Sequence, residues 1–337
     1  MSTVGIIANP ASGRDIRRLV AYGTVFDNQE KTNIVRRILL GLAATGVEKV
    51  FFMPDYYGIV TQAVEGLLRH CQLPIEILPI DICLSGTQID SQQAALAMRN
   101  IGVGCILTLG GDGTNRMVAK DCGDVPLLPV STGTNNVFSV MIEGTTAGLA
   151  AGVVASCAVN VPDVVRRTKK LIIEKSGQAI DIALIDAVVL DNHFIGSRAL
   201  WNVEGIRQIV ITRGEPHNIG ISSIGGNLAP IGAYDSKGMS IYFGNNTDAV
   251  LAPIAPGIVV PVPFENFLEI GIGDTVKILH TPCLIAVDGE REVEIKSGDE
   301  VSIRLTMEGP LVIDVHAALA EAAAKGFFRK QAAQALV

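Results

Sequence analysis

The stretch Cys105-Ile106-Leu107-Thr108-Leu109-Gly110-Gly111-Asp112-Gly113-Thr114-Asn115-Arg116 changes character twice. The apolar run Cys105 to Leu109 reads as a buried strand. Three glycines interrupted by one carboxylate follow, and from Asn115 to Lys120 the pattern becomes that of a helix. In an open α/β sheet, ligands bind where strand carboxyl ends meet helix amino ends. Glycine lets the backbone approach a phosphate closely, and unpaired N–H groups at a helix start attract anions. An ordinary tight turn draws on the same residues. Asp112 is what a bare anion cradle leaves unexplained. It reads as a hydroxyl partner, a general base or a magnesium contact.

Upstream, the strand Val4-Gly5-Ile6-Ile7-Ala8 ends in the polar loop Asn9-Pro10-Ala11-Ser12-Gly13-Arg14. Then come helical spacing over 29–45 (Ile34, Ile38, Leu42), a strand Val47–Met53, and a helix near Gly58–Cys71. A strand Ile75–Pro79 and a helix Ser91–Gly102 complete the run. Downstream, the strand Val125–Val130 enters a third glycine- and hydroxyl-rich turn, Ser131-Thr132-Gly133-Thr134-Asn135-Asn136-Val137-Phe138. This alternation is the pattern of a doubly wound parallel sheet, an α/β N-terminal domain. Three such turns on one sheet edge point jointly to a nucleotide or phosphate site.

From about Val159 the texture changes to short strand-like runs separated by Gly, Pro, Asn and Asp. They are Leu171–Glu174, Ala183–Leu190, Ile206–Thr212, Met239–Phe243, Val276–Leu279, Cys283–Val287, Arg291–Ile295, Val301–Leu305 and Leu311–Val315. The spacing predicts a β-rich, sandwich-like second domain with few helices. The expected division is 1–158 for the α/β domain, 159–316 for the β-rich domain, and 317–337 for an Ala-rich closing helix packing back on the first domain. The formal charge of -7 argues against a nucleic-acid or anionic-membrane partner. No apolar run reaches membrane-spanning length, and Thr145–Val161 reads as a packed helix. The chain opens almost directly on a strand, which predicts a cytoplasmic protein without a signal peptide. Cys71, Cys83, Cys105, Cys122, Cys157 and Cys283 form no C-x-x-C pair and read as buried free thiols. His70, His193, His217, His280 and His316 show no ligand spacing, and Trp201 reads as a core residue.

Together the three turns resemble the superfamily that joins NAD kinases, diacylglycerol-type lipid kinases, sphingosine kinases and 6-phosphofructokinases. Its marks are an Asn-Pro-x-Ser-Gly loop, matched by Asn9 to Gly13, and a Gly-Gly-Asp-Gly-Thr loop, matched by Gly110, Gly111, Asp112, Gly113 and Thr114. A Gly-Thr-x-Asn turn is matched by Gly133 to Asn136, and a later Asp-Gly-Glu by Asp288-Gly289-Glu290. Within the superfamily the wording is most similar to the ATP-NAD kinase family, in the branch encoded with bacterial acetoin-catabolism genes. The resemblance implies an NAD kinase-like architecture, ATP as donor, magnesium, and NAD as acceptor at the adenosine ribose 2′-hydroxyl. It also implies small nucleotide substrates, a homo-oligomer and a link to acetoin catabolism. Asp112 would orient or deprotonate the acceptor hydroxyl. Asn9, Ser12, Gly13, Gly110, Gly111, Gly113, Thr114, Thr132, Gly133, Thr134, Asn135 and Asn136 would hold nucleotide and phosphate.

Arg14 and Arg116 are candidate counter-charges, and Asp186, Asp288 and Glu290 candidate substrate contacts. No P-loop pattern is present. Asp288-Gly289 equally fits a hairpin turn between Ile285 and Val293. Where NAD kinases carry an Asn-Glu pair, this chain has Ile185-Asp186, and an isoleucine makes no side-chain hydrogen bonds. Their Gly-Ser-Thr-Ala-Tyr stretch is also missing; Gly220–Asn227 stands in its place. The alternatives are therefore a lipid or small-metabolite kinase, or a non-catalytic NAD or ATP sensor.

Overall fold

The structure, a computed structural model, describes residues 1–13, 21–23, 26–69, 72–133, 136–191, 203, 205–244 and 248–329. Strands and helices alternate at first: β1 Thr3–Ala8, α1 Asn28–Ala44, β2 Lys49–Phe52, α2 Ile59–Leu68, β3 Glu76–Pro79 and α3 Ile89–Ile101. Then come β4 Cys105–Gly110, α4 Asp112–Asp121, β5 Leu127–Ser131 and α5 Gly144–Ala155. Helix α1 buries Ile34, Val35, Ile38, Leu39 and Leu42 at helical spacing, and the Asp27 carboxylate caps it by accepting from the Glu30 N–H at 2.7 Å. It packs on α5, where the stripe Gly144, Gly148 and Gly152 admits close approach. A Cβ on Gly148 would lie 2.3 Å from the Ile38 carbonyl oxygen.

The remaining elements are α6 Val161–Val164, β6 Val165–Arg167, β7 Lys170–Lys175, β8 Gln178–Ala183, β9 Asp186–Leu190, β10 Ile206–Ile211 and α7 Ser222–Leu228. After them come β11 Lys237–Tyr242, β12 Ala249–Ala255, β13 Ile258–Pro263, β14 Asn266–Gly271, β15 Thr275–Ile278 and β16 Cys283–Val287. The last are β17 Glu290–Ile295, β18 Val301–Thr306, β19 Leu311–Ile313 and α8 Val315–Ala324.

The first sheet has strand order β3-β2-β1-β4-β5-β19-β6 and is parallel except for the β19–β6 pair. Chain order runs outward from β1 to β3 on one side and from β4 to β5 on the other, so the topological switch point lies between β1 and β4. The β-rich region forms antiparallel sheets of order β14-β11-β10-β9-β16-β17 and β15-β18-β7-β8, which share one apolar core, and a hairpin β12–β13. The expected order, parallel α/β followed by antiparallel β, is what the fold shows.

Several elements depart from the expected bounds. Strands β6 and β19 lie within the expected β-rich stretch, yet both complete the first sheet; Val312 pairs with Leu127. The expected strand Ala183–Leu190 is two strands, because the N–H groups of Leu184 and Ile185 turn aside to the Asp288 carboxylate. Helix α7 and the strands β8, β12, β13 and β14 have no counterpart in the sequence reading. The closing helix begins at Val315, and Ala318 and Ala322 bury in the first core; residues 330–337 lie outside the described set. Cys83 and Cys157 are exposed, whereas Cys105, Cys122 and Cys283 are buried; all are free thiols. Cys71, His70, His193 and Trp201 lie outside the described residues. Among the described residues no helix is long and apolar enough to cross a membrane.

Candidate active site

Because β1 and β4 are neighbours at the switch point, the loops leaving them meet, and the turn after β5 closes over both. Asn9 Nδ2 donates to Thr114 Oγ1 at 2.8 Å, joining the first loop to the second. Ser12 and Thr132 hydroxyls lie 2.9 Å apart, joining the first loop to the third. Gly13 has φ +75°, and a Cβ there would meet the Thr132 carbonyl at 2.7 Å, so only glycine fits both the backbone and the space. Asn136 sits between Gly111 and Gly133 and donates through Nδ2 to Ser131 Oγ at 2.8 Å. Arg14, Thr134 and Asn135 lie outside the described residues.

Helix α4 begins at Asp112 rather than at Asn115, so the loop after β4 is two glycines followed at once by a helix start. Asp112 sits in the first turn, where a carboxylate is favoured by the helix dipole. Its oxygens accept from the main-chain N–H groups of Val137 (2.7 Å), Phe138 (3.0 Å) and Ser139 (3.1 Å). Burial pushes the Asp112 carboxyl above its ordinary value, opposed by these N–H groups and by the Arg213 guanidinium. An ionised carboxylate offers about four acceptor sites. Three are taken, and Oδ2 carries one of the three bonds.

The Asp-Gly-Glu turn arrives from the other region. Asp288 (φ 49°) and Gly289 (φ 79°) form the two-residue turn between β16 and β17, with Val287 paired to Glu290. The Asp288 carboxylate also accepts from Leu184 (2.9 Å), Ile185 (2.7 Å) and Asp186 (3.3 Å) N–H groups. Its carboxyl is pushed up to about 8 by burial and by the neighbouring Asp186 carboxylate, with Arg116 opposing. Hairpin turn and buried carboxylate are thus the same residue. Glu290 reaches the start of α4, where its Oε1 would lie 3.1 Å from a Cβ on Gly113.

Arg116 is not a counter-charge for phosphate. It is fully buried, donates to both Asp181 oxygens at 3.0 and 3.1 Å, and lies 3.9 Å from Asp288. Ile185 is also buried and packs with Val137, Phe138 and Leu184, so the position makes an apolar seal under the cleft.

Two cations escaped the sequence reading. Lys31, fully buried, donates through Nζ to the carbonyls of Asn9 (2.9 Å), Pro10 (3.3 Å) and Ser12 (2.7 Å), clamping the first loop from below. Early in an amphipathic helix a lysine reads as solvent-facing, and nothing local marked it. Arg213 hydrogen-bonds the Val137 carbonyl, stacks over the Phe138 ring at 5.9 Å and faces both Asp112 and Asp288. It lies just past the end of β10, and only its place at the cleft gives it a role.

The closely packed loops and the helix start suit a polyphosphate: the hydroxyls of Ser12, Thr114 and Thr132 lie on the meeting loops, beside the amino end of α4. Among the described residues no group of three or more His, Cys, Asp or Glu is placed to hold a metal ion. A magnesium ion there would be held chiefly by phosphate oxygens.

The switch-point site and the two-region fold define a protein with an NAD kinase-type first half. Residues 4–157 match the ATP-NAD kinase N-terminal domain, and residues 169–308 match the acetoin catabolism protein X C-terminal domain. The acetoin catabolism protein X of Cupriavidus necator (strain ATCC 17699 / DSM 428 / KCTC 22496 / NCIMB 10442 / H16 / Stanier 337) is 38% identical over 330 residues, covering 95% of this chain and 92% of that relative. The chain belongs to the acetoin catabolism protein X family. A crystal structure of yeast NADH kinase complexed with NADH aligns over 96% of this chain and 88% of its own, at 14% identity and a TM-score of 0.49. That likeness is too low to bear on function.

Proposed function

We propose that the protein transfers a phosphoryl group from ATP to a hydroxyl, with the adenosine ribose 2′-hydroxyl of NAD as the leading acceptor. The observation that carries this reading is the meeting of three loops at the switch point with a buried carboxylate, Asp112, at their centre. Phosphoryl transfer asks a protein mainly to position two reactants and neutralise charge. Ser12, Gly13, Gly110, Gly111, Gly113, Thr114, Thr132 and Gly133 would cradle the triphosphate, with Asn9 and Asn136 holding the loops in register. Bound ATP with magnesium would supply the transferred group and screen its charge. Asp112, with its carboxyl raised by burial, is the base or orienting group for the acceptor hydroxyl, and its remaining acceptor site is the one such a hydroxyl takes. Glu290, beside Gly113, faces the same space, and Asp186 and Asp288 hold the far wall.

The test is incubation with ATP, magnesium and NAD, with NADP as the assayed product. No NADP, or an Asp112→Asn protein as active as wild type, overturns the reading. One observation favours a second acceptor class. Ile185 is buried and makes no side-chain hydrogen bond where NAD kinases present an amide. A smaller hydroxyl metabolite in place of NAD does not need that contact. Phosphate consumed from ATP with such a metabolite but not with NAD would select it.

A further inference from the structure

Strand β5 has a divided edge. At its start Leu127 pairs with Val312 of β19; near its end Val130 bridges Val140, with the Ser131 N–H donating to the Val140 carbonyl at 2.9 Å. Between that returning segment and the first turns of α8 opens a cavity of about 740 Å³. This lies within the size range of pockets that enclose small-molecule ligands. Its walls are mainly apolar: Phe138, Val140, Ile142 and Leu319 line it, and Val140 is 52% exposed.

The polar end of this slot is Arg213. One guanidinium nitrogen donates to the Val137 carbonyl, while the Nε is buried with no hydrogen-bond partner among the described residues. A buried N–H without an acceptor is costly, and a charged acceptor restores the loss. Further cations stand nearby. Lys169 lies close enough to Arg213 for mutual repulsion, and Arg166 lies over the Tyr234 ring at 5.1 Å. Of the carboxylates around it, Asp314 caps α8 by accepting from the Ala317 N–H at 3.0 Å, Asp112 holds the 137–139 turn from its other side, and Asp288 holds the 184–186 turn; Glu215 also faces Arg213 and Lys169.

We infer that this slot binds a small amphiphile with a single anionic head group, carboxylate or phosphate, paired with Arg213 and an apolar tail lying against Phe138, Val140, Ile142 and Leu319. The site is separate from the phosphate cradle. Val137 turns its N–H toward Asp112 and its carbonyl toward Arg213, so the turn is the wall between the two. An anion in the slot draws on the same guanidinium that faces Asp112, which couples its occupancy to the Asp112 carboxylate.

The full chain is titrated calorimetrically with decanoate, decyl phosphate and decanol. Saturable binding of either anion, with decanol at least roughly tenfold weaker, is the expected result, and the tighter anion names the head group. Arg213→Met should erase the preference for anions over decanol. Ala320→Trp, at an exposed slot-lining position that leaves the core intact, should abolish binding of all three. Equal binding of decanol and the anions, unchanged binding in Ala320→Trp, or no saturable binding of any probe overturns the inference. Binding is read without phosphoryl transfer, so the inference stands or falls apart from the kinase reading.

Discussion

Asp112 and Asp288 form a natural pair. Each precedes a glycine, each is buried, and each gives its carboxylate to the main-chain N–H groups of a neighbouring turn: 137–139 for the first, 184–186 for the second. Both face Arg213. They differ in what else surrounds them. Asp112 stands at a helix start on the switch point, beside three phosphate-type loops, with one acceptor site still open. Asp288 stands in a hairpin turn between Asp186 and the buried Arg116, and its oxygens accept from three N–H groups, the Leu184 N–H reaching both oxygens. On the proposed reading, the same dipeptide makes a reactive position in one place and a clamp in the other. Neighbouring charge and place in the sheet decide which.

The largest effect expected is on Asp112. Replacing it with Asn keeps the volume but removes the base, and phosphoryl transfer should fall by roughly 10²–10⁴-fold. The Asp288→Asn protein should lose less than about tenfold in the same assay, since its carboxylate does not face the acceptor. Equal losses in the two variants would break the distinction. Asp288 should instead reveal itself in stability. Its carboxyl is raised from 3.8 to about 8 in the fold, so the folded state holds a proton that the unfolded chain releases. That contribution is full below 3.8 and lost as the pH rises through about 8. Thermal melts should show wild type losing stability across that window while Asp288→Asn, which cannot ionise, changes less. A wild type that gains stability from about pH 5 to pH 9 relative to the variant contradicts the assignment.

Lys31→Met is the next step down. It leaves three loop carbonyls without their shared donor, which should cost about 1–3 kcal/mol and loosen the Asn9–Gly13 loop. The comparison sharpens if nucleotide affinity in this variant falls together with stability, because the loop lies on the Asp112 side. Unchanged nucleotide affinity would assign Lys31 to packing alone. Calorimetric titration with ATP separates these outcomes.

Much of this contrast was legible from the chain alone. Glycine-rich loops at the strand ends near Gly13, Gly110 and Gly133, the second leading at once into a helix, announce themselves, because close backbone approach and helix starts demand particular residues. The parallel-then-antiparallel order followed from the spacing of apolar runs. What stayed hidden was set by distant partners. Lys31 looks like a surface residue until a loop folds over it. Arg116 looks like a phosphate contact until Asp181 takes it, 65 residues away. The break in Ala183–Leu190 is invisible because its cause, Asp288, is 104 residues from Leu184. Strands β12 and β13, with Pro253, Pro261 and Pro263, are apolar throughout, so no polar–apolar alternation marks them in the sequence.

The smallest effect concerns the one carboxylate that the second aspartate's hairpin sends across to the first. Glu290 ends beside Gly113 at the start of α4, where a negative charge gains from the helix dipole by about 0.3–1 kcal/mol. The same charge repels an incoming polyphosphate. Glu290→Gln should therefore lower the melting temperature slightly while tightening metal-free ATP a few-fold, an effect that shrinks with added salt. Weaker binding of metal-free ATP would mean that Glu290 donates through a proton or fixes the loop rather than repelling phosphate. In that case the hairpin belongs to the reactive side of the molecule as much as Asp112 does, and the division between the two aspartates falls between Asp288 and Glu290 instead of between the two regions.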